Sequence, residues 1–220
     1  MYQYLDEKNI RYLKCGKLIV AIKKDEIPRL YNLFEKGIQN GVKNLELLEQ
    51  SSISKVEPKC KGIKAIWSPE TGIVNYRQVN LSFGFDFEQN GGKIYFNFKV
   101  DDLKIKHDHN QRLIELVDNQ NNQKLKAKFV VSAAGLFSDK LAQMTGGNSV
   151  PKIVPFRGEY LVIKKPKGSF VKVNIYPVPD PRLPFLGIHI TPRIDGSIWI
   201  GPNAILAFKR EGYQYSDIDL

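Results

Sequence analysis

Hydrophobic and polar positions change period several times along this 220-residue chain, and each change predicts an element. Residues 16–22 (Gly-Lys-Leu-Ile-Val-Ala-Ile) are a short apolar run, which predicts a strand. Ile27, Leu30, Tyr31, Phe34 and Ile38 then recur at helical spacing, so a helix is expected over about residues 25–40. Pro28 suits its first turn and Gly41 the position after its end. A short strand is expected over 45–48 and a short capped turn or helix over 51–56. Ile63, Ala65 and Trp67 alternate as in a half-buried strand. Residues 71–75 read as a passage between domains. A second helix follows over 76–89, with Val79, Phe83 and Phe87 on one stripe, and Asn90-Gly91-Gly92 stops it. Strands over 93–100, 101–106, 112–117 and 124–131 come next, joined by polar turns.

The end of that last strand changes character. Phe129-Val130-Val131 reads as buried strand, and Ser132-Ala133-Ala134-Gly135 then removes side-chain bulk. Ser138 or Asp139 is placed to cap a helix running to about Met144. Strand, small-residue turn and helix together make a cradle for an anionic cofactor group; an ordinary tightly packed βα turn has the same pattern. Beyond Gly146-Gly147 the chain predicts a strand over 161–163, a stiff proline-rich connector over 174–184 and a strand over 185–191. Asp195-Gly196 is a hairpin signal, with the return strand over 197–200. The order predicts a mixed fold, α/β with α+β character, of two interleaved domains. Residues 72–149 resemble part of a dinucleotide-binding domain; residues 1–71 and 150–220 supply a second, sheet-based one.

Composition narrows the classes. The chain is 42% hydrophobic and 25% charged, as globular proteins are. No run approaches a transmembrane helix in length. Met1 to Lys8 has neither a signal peptide's apolar core nor the Arg-rich look of a transit peptide. Cys15 and Cys60 read as two plain thiols. The net charge of +10 suits nucleic acid, an anionic membrane or an anionic substrate. The lysines are scattered and form no basic tail, so no nucleic-acid partner is expected. His107-Asp108-His109-Asn110 reads as an exposed loop tip without Cys or Glu nearby, so no metal is expected.

Several runs resemble the FAD-dependent L-2-hydroxyglutarate dehydrogenases, of the D-amino-acid oxidase and glycine oxidase superfamily. They are Cys15-Gly16-Lys17-Leu18-Ile19-Val20-Ala21, Glu26-Ile27-Pro28-Arg29-Leu30, Thr71-Gly72-Ile73-Val74-Asn75-Tyr76-Arg77-Gln78-Val79, Val130 to Gly135, Val154-Pro155-Phe156-Arg157-Gly158-Glu159-Tyr160, and Gly201-Pro202-Asn203 with the residues to Tyr213. The most specific is Asn174-Ile175-Tyr176-Pro177-Val178-Pro179-Asp180-Pro181-Arg182, continuing from Pro184 to His189. The likeness covers essentially the whole chain. It implies a partial FAD-binding domain interleaved with a mixed-sheet substrate domain. It also implies FAD as cofactor and oxidation of L-2-hydroxyglutarate to 2-oxoglutarate. Electrons would pass to an acceptor other than a nicotinamide; a quinone or an electron-transfer flavoprotein fits. The implied place is the mitochondrion in a eukaryote, and otherwise the cytoplasm or the surface of the inner membrane. The family opens with a βαβ unit carrying GxGxxG, and no GxGxxG occurs here. The chain is therefore expected to be an internal piece, inactive alone. Two rivals stand beside this reading: a related FAD oxidoreductase acting on amino acids or glycerol phosphate, and a non-catalytic basic binding module.

Oxidising a 2-hydroxy acid needs a base for the hydroxyl proton and cations for the carboxylates of a small dicarboxylate substrate. His189 is the candidate base, because histidine's ordinary pKa of about 6.5 suits proton transfer. A two-residue Asp195-Gly196 turn would set it opposite Pro202, in a stretch resembling the loop near the flavin ring. A hydrogen-bonded core histidine is the competing reading. Arg157, Arg77 and Lys209 are candidate carboxylate partners, with Arg157 foremost, and Tyr160 and Tyr176 could hydrogen-bond substrate. Ala133, Ala134, Gly135, Val100, Gly201 and Pro202 are the candidate cofactor contacts.

Overall fold

The computed structural model describes residues 1–108, 111–163, 170–183 and 185–219. In chain order the helices are α1 (Tyr2–Glu7), α2 (Ile27–Gln39), α3 (Gln50–Val56), α4 (Tyr76–Gln89) and α5 (Ser138–Met144). The strands are β1 (Tyr12–Leu13), β2 (Lys17–Ala21), β3 (Glu46–Glu49), β4 (Lys64–Ser68), β5 (Ile73–Val74), β6 (Asp102–Asp108), β7 (Gln111–Asp118) and β8 (Gln123–Ala127). Later come β9 (Phe156–Arg157), β10 (Leu161–Ile163), β11 (Asn174–Pro177), β12 (His189–Pro192), β13 (Ile198–Gly201) and β14 (Ile205–Leu206). The chain forms two compact units: Met1–Asp86 with Gly158–Ile205, and Phe87–Arg157 with Leu206–Leu220. Residues 71–75 do not divide them, because Ile73 and Val74 pair with Leu13 and Tyr12 inside the first unit.

A seven-stranded mixed sheet, in the order β10-β13-β12-β11-β2-β4-β3, organises the first unit. Only the β2–β11 pairing among these is parallel. Alternation along each strand sends neighbouring side chains to opposite faces. On one face Leu18, Val20, Leu48, Ala65 and Val173 close over Ile53 of α3. On the other, Ala21, Ile66 and Val178 close over Leu30 of α2. The strand expected to be half-buried is thus covered on both faces: Ala65 is 0% and Ile66 2% exposed. The buried stripe of α2 also runs through Leu33, and Tyr31 and Ile38 stay exposed. Gly16 adopts φ +78 directly beneath the Trp67 ring, where a Cβ would lie 1.9 Å from a ring carbon, so only glycine fits.

The proline-rich run is only partly a connector. Asn174–Pro177 is β11, the inner strand that joins the two halves of the sheet. Its Ile175 and Tyr176 pair with Leu18 and Ile19 of β2, and the prolines come at and after its end. Coverage of the sheet is unequal. On the face of Ile66, α2 packs over the β3–β4 end, with no comparable core cluster over the β11–β12–β13–β10 end among the described residues.

The second unit carries the antiparallel meander β6–β7–β8. Asp118, fully buried at the end of β7, accepts from the backbone N–H of Lys99, Gln120 and Asn121 and from the Asn121 amide. Those bonds hold its carboxyl below the ordinary carboxylate range, against the opposing effect of burial. Two expectations fail here for one reason, the lack of a neighbouring strand among the described residues. Residues 93–100 are irregular rather than a strand, with Asn97 at φ 57 in a turn and its carbonyl held by Asn121. β8 stops at Ala127, so Phe129 and Val131, read as buried strand, are 88% and 92% exposed.

Candidate active site

The open end of the first unit's sheet gathers its aromatic and basic side chains, and strand register sets their rows. Ile175 lies opposite Ile190, so on the next pair along Tyr176 faces His189 and Asn174 faces Thr191. β12 and β13 then set His189 opposite Gly201 and Thr191 opposite Trp199. His189 is buried. Its ring stacks on Tyr176, with centroids 4.2 Å apart and planes within 7°, and Tyr160 meets it edge-on at 6.2 Å. Nδ1 of His189 lies 3.1 Å from the carbonyl oxygen of Gly187. A carbonyl only accepts, so Nδ1 carries a proton, and in the neutral ring the lone pair is then on Nε2.

Gly201, not Pro202, stands opposite His189. The Asp195-Gly196 turn is longer than two residues: Arg193 N–H donates to Ser197 O, and Ile194, Asp195 and Gly196 form the loop, Gly196 at φ +82. A three-residue loop of this kind shifts the register by one. Gly201 itself has φ +150, and a Cβ there would lie 2.7 Å from the Glu159 carbonyl oxygen and 2.8 Å from the Tyr160 ring. Asn203 fixes this loop: its side-chain oxygen accepts from Glu159 N–H, its amide donates to the Glu159 carboxylate, and its N–H donates to Glu159 O.

Sequence reasoning missed three residues on this face. Lys17 of β2 holds its ammonium 5.4 Å from the centroid of the Tyr176 ring, and burial pushes its pKa down. Thr191 Oγ1 is buried without a hydrogen-bond partner among the described residues. Arg193 lays its guanidinium over Trp199, 4.5 Å from the ring centroid. The available signal was a lysine breaking the apolar run of residues 16–22. Arg77 is elsewhere in this unit, exposed on the first turn of α4 with its N–H on the Asn75 side chain.

The second unit holds the other candidates. Ala133 and Gly135 are exposed, Ala134 half-exposed, and a Cβ on Gly135 (φ +53) would meet nothing within 4 Å. This backbone is therefore open to a flat or anionic group, which fits a lateral cofactor contact. Gly135–Phe137 is a single 3₁₀ turn leading into α5. Neither Ser138 nor Asp139 caps that helix: Ser138 donates to Gly135 O, and Asp139 takes a two-pronged ion pair from Arg210 at 2.6 and 2.7 Å. Asp139 also accepts from Ile153 N–H, and with Arg210 this holds its carboxyl far below the ordinary range. Arg157 donates to the carbonyls of Gly212 and Gln214 and stacks on Tyr215 at 4.6 Å. Lys209 is exposed, and Val100 is half-buried in the irregular stretch before β6. The side chains of residues 107–110, weighed for a metal, lie outside the described residues, as does Pro184. Among the described residues, no cluster of three metal-ligating side chains occurs, and no helix is long and apolar enough to cross a membrane.

The mixed sheet with its aromatic-backed histidine now has a class. The FAD dependent oxidoreductase family matches residues 1–219, and the chain belongs to it. Within that class it is similar to proteins named L-2-hydroxyglutarate dehydrogenase, mitochondrial. The mouse protein is 52% identical over 225 residues, covering 100% of this chain and 48% of the relative. The human protein is 51% identical over 223 residues, covering 99% and 48%. The chain thus spans about half the length of the curated relatives it matches. Among solved structures, the FAD-bound L-alpha-glycerophosphate oxidase of Mycoplasma pneumoniae superposes with a TM-score of 0.80 at 22% identity, over 95% of this chain and 55% of that one. L-proline dehydrogenase from P. horikoshii superposes at 0.76 with 17% identity, over 98% and 54%. At those identities the two structures show a shared fold.

Proposed function

We propose that this chain carries the substrate face of an FAD-linked dehydrogenase that oxidises L-2-hydroxyglutarate to 2-oxoglutarate, with His189 as the base. The observation that carries the reading is the state of His189: buried, stacked on Tyr176, and tied through Nδ1 to Gly187 O so that Nε2 is the free acceptor. The names of the relatives supply the substrate. In the reaction the hydroxyl proton goes to Nε2 while the C2 hydrogen leaves with its electron pair. FAD, when bound, supplies the acceptor for that hydride. Tyr176 and the Gly187 carbonyl keep the imidazole from rotating, and Tyr160 closes its edge against water. Gly201, lacking a side chain, lets the Glu159 carbonyl and the Tyr160 ring close in opposite His189, and Asn203 and Glu159 hold that loop in place. Gly201 and Pro202 on this side, and Ala133, Ala134, Gly135 and Val100 in the second unit, are the residues assigned to the cofactor. Arg77, Arg157 and Lys209 keep a proposed part in drawing the dianion, with Arg157 also organising the 212–214 turn.

The reading includes a mitochondrial place, as in the relatives' names, and a non-nicotinamide electron acceptor, a quinone or an electron-transfer flavoprotein. The test is a substrate panel on the enzyme containing these residues, with FAD and an acceptor dye. L-2-hydroxyglutarate should be turned over in preference to amino acids and glycerol phosphate. His189→Ala should lower turnover by roughly 10²–10⁴-fold, the usual cost of losing a general base, while FAD content stays. Near-wild-type turnover in that variant would remove His189 from the role.

A further inference from the structure

Two polar groups on the His189 face have no partner to match their chemistry. The Lys17 ammonium has no carboxylate or hydrogen-bond acceptor among the described residues; its contact is the Tyr176 ring. Thr191 Oγ1 is buried and unbonded. Both lie in one row. Lys17 pairs with Asn174 across β2 and β11, and Asn174 faces Thr191 across β11 and β12. Two strand spacings, roughly 10 Å, separate the backbones of Lys17 and Thr191, and the long lysine stem spans much of that gap. Asn174, between them, is already committed: its amide donates to Gly16 O and Cys15 Sγ. Tyr176, two residues along and on the same face, meets the Lys17 ammonium and stacks with His189.

We propose that Lys17 and Thr191 form a carboxylate-binding subsite beside the His189–Tyr176 stack, which takes one carboxylate of a small dicarboxylate substrate. This rests on the reading that the face serves a 2-hydroxy acid. Both groups donate, so a metal cation does not suit them; an anion with two acceptor oxygens does. A half-buried cation without a counterion is costly, and burial has already pushed the Lys17 pKa down. A bound carboxylate would reverse that shift by favouring the charged amine. The place is apt, since a carboxylate held over the edge of Tyr176 sets the neighbouring hydroxyl-bearing carbon toward the stacked imidazole.

The first experiment reads the unmodified protein. Competitive acetylation near neutral pH, followed by mass spectrometry of each lysine, should label Lys17 early. Glutarate at ten times its dissociation constant should suppress that labelling about tenfold, by mass action. Glutaramide, the uncharged analogue, should leave it unchanged, as should glutarate the labelling of exposed Lys61. Equal protection of both lysines, or none at Lys17, overturns the proposal. In the enzyme, Lys17→Met and Thr191→Val should each raise KM for L-2-hydroxyglutarate, Lys17→Met by roughly 10–100-fold for loss of a charged hydrogen bond, with a smaller change in kcat. Lys17→Arg should restore part of the KM. Turnover of L-2-hydroxyglutarate with an unchanged KM in Lys17→Met would sink the subsite and leave the proposed function standing. Protection of Lys17 by glutarate without any turnover would keep the subsite and sink the function.

Discussion

The two units are held by different forces. In the first, Leu18, Leu30, Ile53, Ala65 and Ile66 are buried on the two faces of one sheet, each face closed by a helix. In the second, Val117 and Ala207 are the buried apolar residues among those described, while Phe96, Phe129 and Val131 are exposed. Its order comes instead from polar fixtures: the buried Asp118 with its four donors, the Asp139–Arg210 pair, and Arg157 on two carbonyls. The difference teaches where each kind of residue can serve. A sheet covered on both faces at one end is stiff enough to present a stacked histidine from its open end. A unit with little apolar burial exposes backbone such as 132–135, which is useful for contact and weak in self-support.

The contrast can be broken at its strong side first. Leu30→Ala removes the α2 side chain that is 0% exposed and should cost about 2–5 kcal/mol. Denaturant unfolding followed through Trp67 and Trp199 should show the loss; a cost below about 1 kcal/mol would mean that α2 is not what closes that face. Acid should sharpen the contrast at the weak side. Asp139, Asp118 and Asp101 in the second unit all have pKa values lowered in the folded chain; Glu70, Asp86 and Asp180 in the first are lowered too, but there the apolar core carries the fold when they protonate. Each therefore adds stability above the ordinary carboxylate pKa of about 4, and that contribution fades as pH falls below it toward the lowered values. Amide exchange between pH 5 and pH 2 should open β6–β8 and α5 while β2, β4 and β11 stay protected. Equal loss in both units would contradict the division. The smallest effect is expected from Phe129→Ser, which should change stability by less than about 0.5 kcal/mol because so little of the ring is buried. A large loss in thermal melting would show that Phe129 packs in solution after all.

Local pattern was enough for much of the first unit. The strand at residues 17–21, the helix with Pro28 in its first turn, and the hairpin at Asp195-Gly196 are set by short-range periodicity and turn chemistry, and all are present. His189 was legible as a polar residue in the apolar strand expected over 185–191. Its partner was not, because a loop of three residues rather than two moves every pairing by one, and that is decided by backbone closure at Ile194–Gly196. Lys17 was hidden for a related reason. It lies about 160 residues from Tyr176 in the sequence, and only the parallel β2–β11 pairing brings ammonium and ring together.

The same physics explains the misreadings of strand. Residues 93–100 and 129–131 have strand-like composition, yet a strand exists only when a neighbour accepts its hydrogen bonds, and composition carries no record of the neighbour. Asn174–Pro177 shows the converse, as a proline-rich run became an inner strand because β2 and β12 lie on either side of it. The sequence by itself determined the period of each segment, the turns and the family resemblance, since those depend on residues a few positions apart. The tertiary structure alone decided which face stayed open, which residue stands opposite His189, and which cation meets the Tyr176 ring, since those depend on long-range register.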